Sequence, residues 1–338
     1  MKHVLVTGGL GFIGSNFIEM LLKKYSDYII VNIDACTYAA NSSAIKSELY
    51  KENYIFEKVD IRKSEEIEKI FSNYDIKHVI HFAAESHVDN SINNPLIFAE
   101  TNVIGTINLL EACRKKNSFI DGDSIFYHIS TDEVYGTLES EGYFTEQTPY
   151  APNSPYSASK ASSDFFVRSY HSTYNMNVIT SNCSNNYGPN QHDEKLIPTI
   201  IRKAIAQEMI PIYGDGKNVR DWLYVEDHCK AIDLIFHNGV LGETYLIGGS
   251  NEKTNLEVAY TICTYLNEIL NDSIDYKQLI TNVTDRKGHD FRYAIDASKL
   301  INNLDWKPDE TFETGIKKTI DWYLNKYHKE SSNRNEIN

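Results

Sequence analysis

The sequence predicts an α/β protein: a doubly wound parallel sheet followed by a smaller, irregular α/β unit. Three observations carry this. Apolar runs alternate with amphipathic segments through the first half of the chain, as in β-α-β units whose strands are covered on both faces. A glycine-rich turn, TGGLGFIG, follows the first apolar run and opens the first amphipathic one. After about residue 185 the alternation breaks, at Pro189, Pro198, Pro211 and the glycines of YGDGKN.

In chain order, VLVTG from Val4 reads as a buried strand, and FIGSNFIEMLLKKY as a helix with apolar residues at helical spacing. YIIVNID from Tyr28 is the next strand, ending at Asp34, and YIFEKV is another, ahead of Asp60. KSEEIEKIFSNY is a charged helix, HVIHFAA a strand, AETNVIGTINLLEACRKK a long helix and SIFYHIST a strand. Further on, AIDLIFHN and LEVAYTICTYLNEIL are helical and ETYLIGG is one more strand. The polar end HKESSNRNEIN is expected to fray. The expected division is a first unit over 1–185, rejoined by segments around 222–248, a second unit mainly over 186–328, and a polar tail over 329–338.

A chain of 338 residues can bury a substantial core, in one large domain or two. Its 41% hydrophobic and 24% charged residues are a globular balance. The net charge of −14 argues against a nucleic-acid surface, which needs a basic stripe. An anionic small molecule stays open, because local Arg and Lys decide that. Cys36, Cys113, Cys183, Cys229 and Cys263 are scattered, with no CxxC and no His cluster, which fits reduced thiols and no metal site. No apolar run approaches the roughly 18 residues of a membrane span. MKHVLVTGG leads straight into structure without a signal peptide, so the cytoplasm is the expected compartment.

Gly8, Gly11 and Gly14 stand three apart. Glycine there permits a tight turn, close approach of backbone to a pyrophosphate, and close packing of helix on strand. The following helix offers free N–H groups and the positive end of its dipole to phosphates. The spacing departs from the commoner GxGxxG, and its place between a strand and a helix is what makes it a Rossmann-like dinucleotide loop. Asp34 can accept from adenosine ribose hydroxyls and would repel a 2′-phosphate, so NAD is expected over NADP. Asp60 and Ile61 can flank the adenine, although Asp60 can equally cap the helix of KSEEIEK.

PYSASK places Tyr156 and Lys160 four apart, on one face of a helix. A phenol titrates near ~10, and an ammonium beside it lowers that value toward use as a base. Upstream, Thr131 ends a strand and is followed by Asp132 and Glu133. Two adjacent carboxylates are either a solvated loop start or a pair kept for proton transfer. The dipeptide alone does not choose.

The motifs TGGLGFIGSNF, AAESHVD, STDEVYG, YSASK, NNYGP, EKLIP, RDWLYVEDH and DRKGHDFRYAID extend over nearly the whole chain. Together they resemble the extended short-chain dehydrogenase/reductases and, within them, the dTDP-glucose 4,6-dehydratases. The resemblance implies Thr131, Tyr156 and Lys160 as the hydride-transfer group, with Asp132 and Glu133 carrying the elimination. Related epimerases keep the Tyr/Lys pair and lack the acids, so STDEVYG discriminates. The implied reaction is oxidation at C4, with Tyr156 taking the O4 proton and Thr131 bonding that oxygen. Glu133 is then the base at C5, protonated Asp132 donates to the departing C6 hydroxyl, and hydride returns to C6 with NAD regenerated. The product is dTDP-4-keto-6-deoxyglucose.

The resemblance also implies Gly8, Gly11, Phe12, Ile13, Gly14, Asp34, Asp60, Ile61, Ala83, Ala84 and Thr101 at the cofactor, together with Tyr156 and Lys160. For the dTDP-hexose it implies Ser86, His87, Asn185, Lys195, Leu196, Tyr213, Arg220, Asn255, Arg286 and His289, with Tyr213 against the base. A homodimer through helices near 101–116 and 156–174 is implied, with no nucleic-acid or membrane partner. On the residues alone, Arg220 can instead pair with Asp221, Glu226 or Asp227 at the surface, and His87 and Asp89 can be cap or core groups. Three positions depart from the family's usual pattern: Asn90 for Arg, Ala40 for Gly, and Asp193 for an aromatic or Pro. The first and third bear on nucleotide and sugar preference. The competing readings are a dehydratase of another nucleotide sugar such as a UDP-linked one, a nucleotide-sugar 4-epimerase, and a non-enzymatic NAD-binding scaffold.

Overall fold

The computed structural model describes residues 2–45, 50, 52–270 and 273–336. The first half runs β1 (Lys2–Thr7), α1 (Phe12–Lys24), β2 (Tyr28–Asp34), β3 (Tyr54–Lys58), α2 (Ser64–Asn73) and β4 (Ile76–His81). It continues through α3 (Val88–Asn93), α4 (Pro95–Phe98), a π-helical turn Ala99–Ile104, α5 (Gly105–Arg114), β5 (Phe126–Thr131), a 3-10 turn Asp132–Tyr135, α6 (Pro155–Tyr174) and β6 (Val178–Cys183). The second half adds β7 (Asn185–Tyr187), α7 (Leu196–Ile205), β8 (Ile210–Tyr213), β9 (Val219–Tyr224), α8 (Val225–Asn238) and β10 (Thr244–Ile247). Last come β11 (Glu252–Thr254), α9 (Asn255–Leu270), β12 (Ile280–Val283), α10 (Ser298–Leu304) and α11 (Phe312–Glu336).

Seven strands form one parallel sheet in the order β3-β2-β1-β4-β5-β6-β10. Its apolar strands are covered on both sides: Val4 and Val6 point into one buried cluster and Leu5 into another. Strand order reverses between β1 and β4, and ligands of such sheets bind beyond the strand C-termini at that point. β10 lies at the sheet edge beside β6, and α8 packs on α1, so late segments return to the first layer. The remaining strands form a three-stranded sheet, β11-β9-β7, and a two-stranded one, β12-β8. A separate core behind them gathers Ile197, Ile200, Trp222, Ile262, Phe312 and Tyr323.

Two sequence expectations are corrected. The helix expected from Ala99 begins as a π turn, because Asn102 turns inward to hydrogen-bond the backbone of Glu85 and Ser159 Oγ. The polar end is helical in α11 as far as Glu336, where the sequence led us to expect no element, and residues 337–338 lie outside the described residues. The helical run Pro95–Arg114 is long and apolar enough by composition to cross a membrane, but Leu109, Leu110 and Cys113 are fully buried in the core.

Candidate active site

The glycine loop leaves β1 with Gly8 at φ +69°, and a Cβ there would come within 2.6 Å of Ala83 Cα on the neighbouring strand's extension. A Cβ on Gly14 would run into the Gly8 carbonyl oxygen, so the first turn of α1 can lie against the loop only as glycine. α1 begins after Gly11 with no side-chain cap, which leaves its first N–H groups facing the cavity as an anion cradle. Asp34 ends β2 and is fixed by Leu10 N (3.0 Å) and Cys36 N (2.8 Å). Burial pushes its carboxyl up. Gly8, Gly11, Phe12, Ile13, Gly14, Asp34, Asp60, Ile61, Ala83, Ala84 and Thr101 all line one cavity of about 400 Å³. Cradle, uncapped helix and terminal acid together fit a dinucleotide. Asp60 does not cap α2: the N-cap is Lys63, and the Asp60 carboxylate is gripped by Arg62 Nε and Nη2 and held low by that contact.

The same cavity reaches Thr131, Asp132, Glu133, Tyr156 and Lys160. Thr131 caps the 3-10 turn by accepting from Glu133 N at 3.3 Å, and its hydroxyl lies 3.3 Å from Asp132 Oδ1. Asp132 is 1% exposed and its Oδ2 has no partner among the described residues. Desolvation, then Glu133, push it well above the carboxylate range. Glu133 is also raised by burial, but Arg286, Arg220 and Lys195 pull it back. The neighbouring carboxyls are therefore unlike, one a buried acid and the other facing three cations.

Ser154 caps α6 and forms a capping box with Ser157 across its first turn, and Pro155 starts the helix one residue before Tyr156. Lys160, one turn on, donates to Ile129 O at 2.9 Å, and burial lowers its pKa. Tyr156 is itself pushed well above a free phenol, by burial first and then by Glu133. The lowering expected from Lys160 does not decide the phenol: the group that pulls it down is Thr131, by a hydrogen bond, and the net direction is upward.

A second cavity of about 420 Å³ adjoins the first and shares Ser86, Glu133, Asn185, Glu194 and Lys195 with it. His87, Leu196, Tyr213, Arg220, Asn255, Arg286 and His289 complete the residues expected there. Arg220 is 4% exposed, lies 4.2 Å over the Tyr293 ring and donates to Asp290 O at 3.0 Å. The surface-pair alternative is excluded: Asp221 instead takes Gly249 N and Asn251 N, and Asp227 takes Glu310 N. His87 does cap α3, through Nδ1 to Asn90 N at 3.3 Å, while its Nε2 lies 3.8 Å from Glu194. Lys195 Nζ donates to Ser86 O at 3.0 Å. Tyr213 OH donates to Asp89 (3.1 Å), and Asp285 holds His289 Nδ1 at 2.6 Å.

Of the departures, Asn90 donates to Tyr38 OH at 3.4 Å, and that hydroxyl meets Glu194, which lines both cavities; Asp193 takes Tyr327 OH at 3.4 Å on α11. Arg62, Glu194 and Tyr293 also line the cavities. In the sequence Arg62 follows Ile61, while Glu194 and Tyr293 stand inside EKLIP and DRKGHDFRYAID, and that proximity is the signal for them.

The family model described as GDP-mannose 4,6 dehydratase matches residues 5–319. The dTDP-glucose 4,6-dehydratase of Salmonella typhimurium is 52% identical over 334 residues, which cover 95% of this chain and 92% of that protein. The chain belongs to the dTDP-glucose 4,6-dehydratase family. Among solved structures of dTDP-glucose 4,6-dehydratases, that of Bacillus anthracis in complex with NAD is 47% identical with a TM-score of 0.85, covering 96% of this chain and 97% of the other. That of Streptomyces venezuelae with NAD and TYD bound is 40% identical with a TM-score of 0.87 and the same coverage.

Proposed function

We propose that this protein converts dTDP-glucose to dTDP-4-keto-6-deoxyglucose with NAD as a recycled cofactor. The observation that carries it is the unlike acid pair, buried Asp132 beside cation-facing Glu133, opening on a cavity that also holds Tyr156 and Lys160. An epimerase needs the last two and has no use for the pair.

When bound, NAD supplies the two-electron acceptor for C4 and the donor for C6. Gly8, Gly11 and Gly14 and the open α1 N-terminus would hold its pyrophosphate, and Asp34 its adenosine ribose. Tyr156 takes the proton of the C4 hydroxyl while Thr131 bonds the same oxygen. The ketone at C4 acidifies the C5 hydrogen, which Glu133 removes. Asp132, neutral, gives its proton to the departing C6 hydroxyl, so water leaves and the two carboxyls exchange charge states, and Glu133 gives a proton back to C5 when C6 takes up hydride. Lys195, Arg220 and Arg286 face the diphosphate, a task for charge-assisted hydrogen bonds.

Residues 1–185 with α8 and β10 form the cofactor unit and most of 186–328 the sugar-nucleotide unit, in a cytoplasmic enzyme. A homodimer forms on the face where Leu96, Ile104, Phe165, Phe166 and Tyr174 are exposed on adjoining helices. Sedimentation of the purified protein at twice the chain mass is the expected result. The reaction is tested by incubating the protein with dTDP-glucose and following the alkali-induced absorbance of a 4-keto sugar and the C6 methyl doublet in the proton spectrum. A product that keeps its hydroxymethyl group overturns the dehydratase reading in favour of epimerisation.

A further inference from the structure

Asp164 is a buried carboxylate with no part in the chemistry above. It lies one turn beyond Lys160 on α6 and is 5% exposed. Three donors converge on it: His128 Nε2 from β5 at 3.1 Å, Tyr150 OH at 2.9 Å and Asn182 Nδ2 from β6 at 3.0 Å. A carboxylate that accepts this many hydrogen bonds is held ionised. A buried anion in turn needs a cation near it. Apart from His128, which touches it at 3.1 Å, the cation one turn away on the same helix is Lys160, 4% exposed, whose Nζ is turned to Ile129 O and is in no ion pair among the described residues, while each of the two charges favours the other.

The other groups around Lys160 do not supply that charge. His81 from β4 and His128 from β5 are kept neutral by burial, His128 lowered to about 4, and burial pushes the Cys183 thiol of β6 up. Asp132 and Glu133, on the turn after β5, act on Tyr156. Carboxylates on the helices packed against α6 are engaged elsewhere, Asp89 with Tyr213, Glu100 with Arg62 and Glu111 with Arg114 and Tyr170. Asp164 also reaches the active site by a second route, because Asn182 Nδ2 bonds both it and Thr131 O (3.1 Å).

We propose that Asp164 is a positioning residue for the reaction centre: its buried carboxylate is the counter-charge of the Lys160 ammonium, and through Asn182 it anchors the Thr131 backbone. The inference rests on the dehydratase reading for its kinetic consequence and on packing alone for its structural one.

The test compares Asp164→Asn, which removes the charge and keeps the size, with Tyr150→Phe, which removes one hydrogen bond and keeps the charge. In Asp164→Asn, kcat should fall about 10–100-fold with KM and bound NAD little changed, which is the effect of about one to two pKa units on the ammonium. Without the anion Lys160 loses its proton at lower pH, so the alkaline limb of the kcat profile moves down by about 1–2 pH units. Tyr150→Phe should keep that limb at the wild-type position. An unmoved limb in Asp164→Asn, or equal shifts in both variants, overturns the proposal. Thermal unfolding of Lys160→Met, Asp164→Asn and the double variant gives a readout independent of activity: the double should be more stable than either single. If Asp164→Asn alone does not fold, recovery of folded double variant supports the pairing and continued failure overturns it. Wild-type protein that makes no 4-keto sugar would sink the dehydratase reading, while this stability cycle still decides the pairing.

Discussion

At the scale of single residues, the informative contrast is between Asp132 and Glu133. The sequence puts them side by side but does not say that one is sealed and the other half-buried, because burial depends on what the fold packs around the end of β5. Asp132 has a raised pKa in the fold, so its native state is favoured at pH below the unfolded value and loses ground as pH rises toward the folded one. Asp132→Asn is therefore expected to stabilise the protein at pH 7–8, by about 0.5–2 kcal/mol, with the gain shrinking on acidification and with turnover lost. Denaturant melts of both proteins at pH 5 and 8 measure this, and an Asn variant less stable than wild type at pH 8 contradicts it. Glu133→Gln should abolish exchange of solvent deuterium into C5 while some C4 oxidation persists. Exchange at the wild-type rate would remove Glu133 from the role of base.

At the scale of elements, strands and long helices were legible because a period repeats, and the π turn was not, because one inward Asn102 has no period. The joint of α1 with α8 was also invisible from sequence. Asp233 on α8 receives Lys24 Nζ (2.6 Å) and Tyr25 OH (3.1 Å), and pairs with His237 Nδ1 at 3.2 Å, while His237 Nε2 meets Tyr28 OH at 2.8 Å. His237 is raised chiefly by its hydrogen bond to Asp233. Asp233 is lowered, the His237 and Lys24 bonds overcoming desolvation. The Asp contribution is present above its unfolded value near ~4 and fades as pH falls through the lower folded one; the His contribution is present below ~6.5 and fades as pH rises through the folded one. Asp233→Asn should thus cost about 1–2 kcal/mol near pH 5.5, discounted for the exposed Lys24, and less at pH 8. A loss that grows from pH 5.5 to pH 8 is the contrary result.

At the scale of the whole molecule, the parallel sheet followed from the alternation of the first half and the cofactor loop from its three glycines, while the reversal of strand order between β1 and β4 is visible only in the fold. The sugar-nucleotide wall did not follow, because it is assembled from β7, α7, β8, β9, α9 and the 285–293 loop, each contributing one to three residues with no common period. A chain with net charge −14 must gather cations locally to hold a diphosphate. Lys195 is the member of that set that joins the two cavities: it precedes α7, lines both, and ties the segment after β4 by its bond to Ser86 O. Burial lowers its pKa, so an anion arriving beside it restores the charge and is held in return. Lys195→Met keeps the apolar stem and removes that partner. Losing one charge-assisted hydrogen bond should raise KM for dTDP-glucose about 10–100-fold. Bound NAD should stay at the wild-type level, since the glycine loop and Asp34 are untouched. Steady-state kinetics with cofactor content measured on the same sample separates the two cavities. A variant that loses NAD and keeps its KM would show that Lys195 serves the first cavity instead of the second.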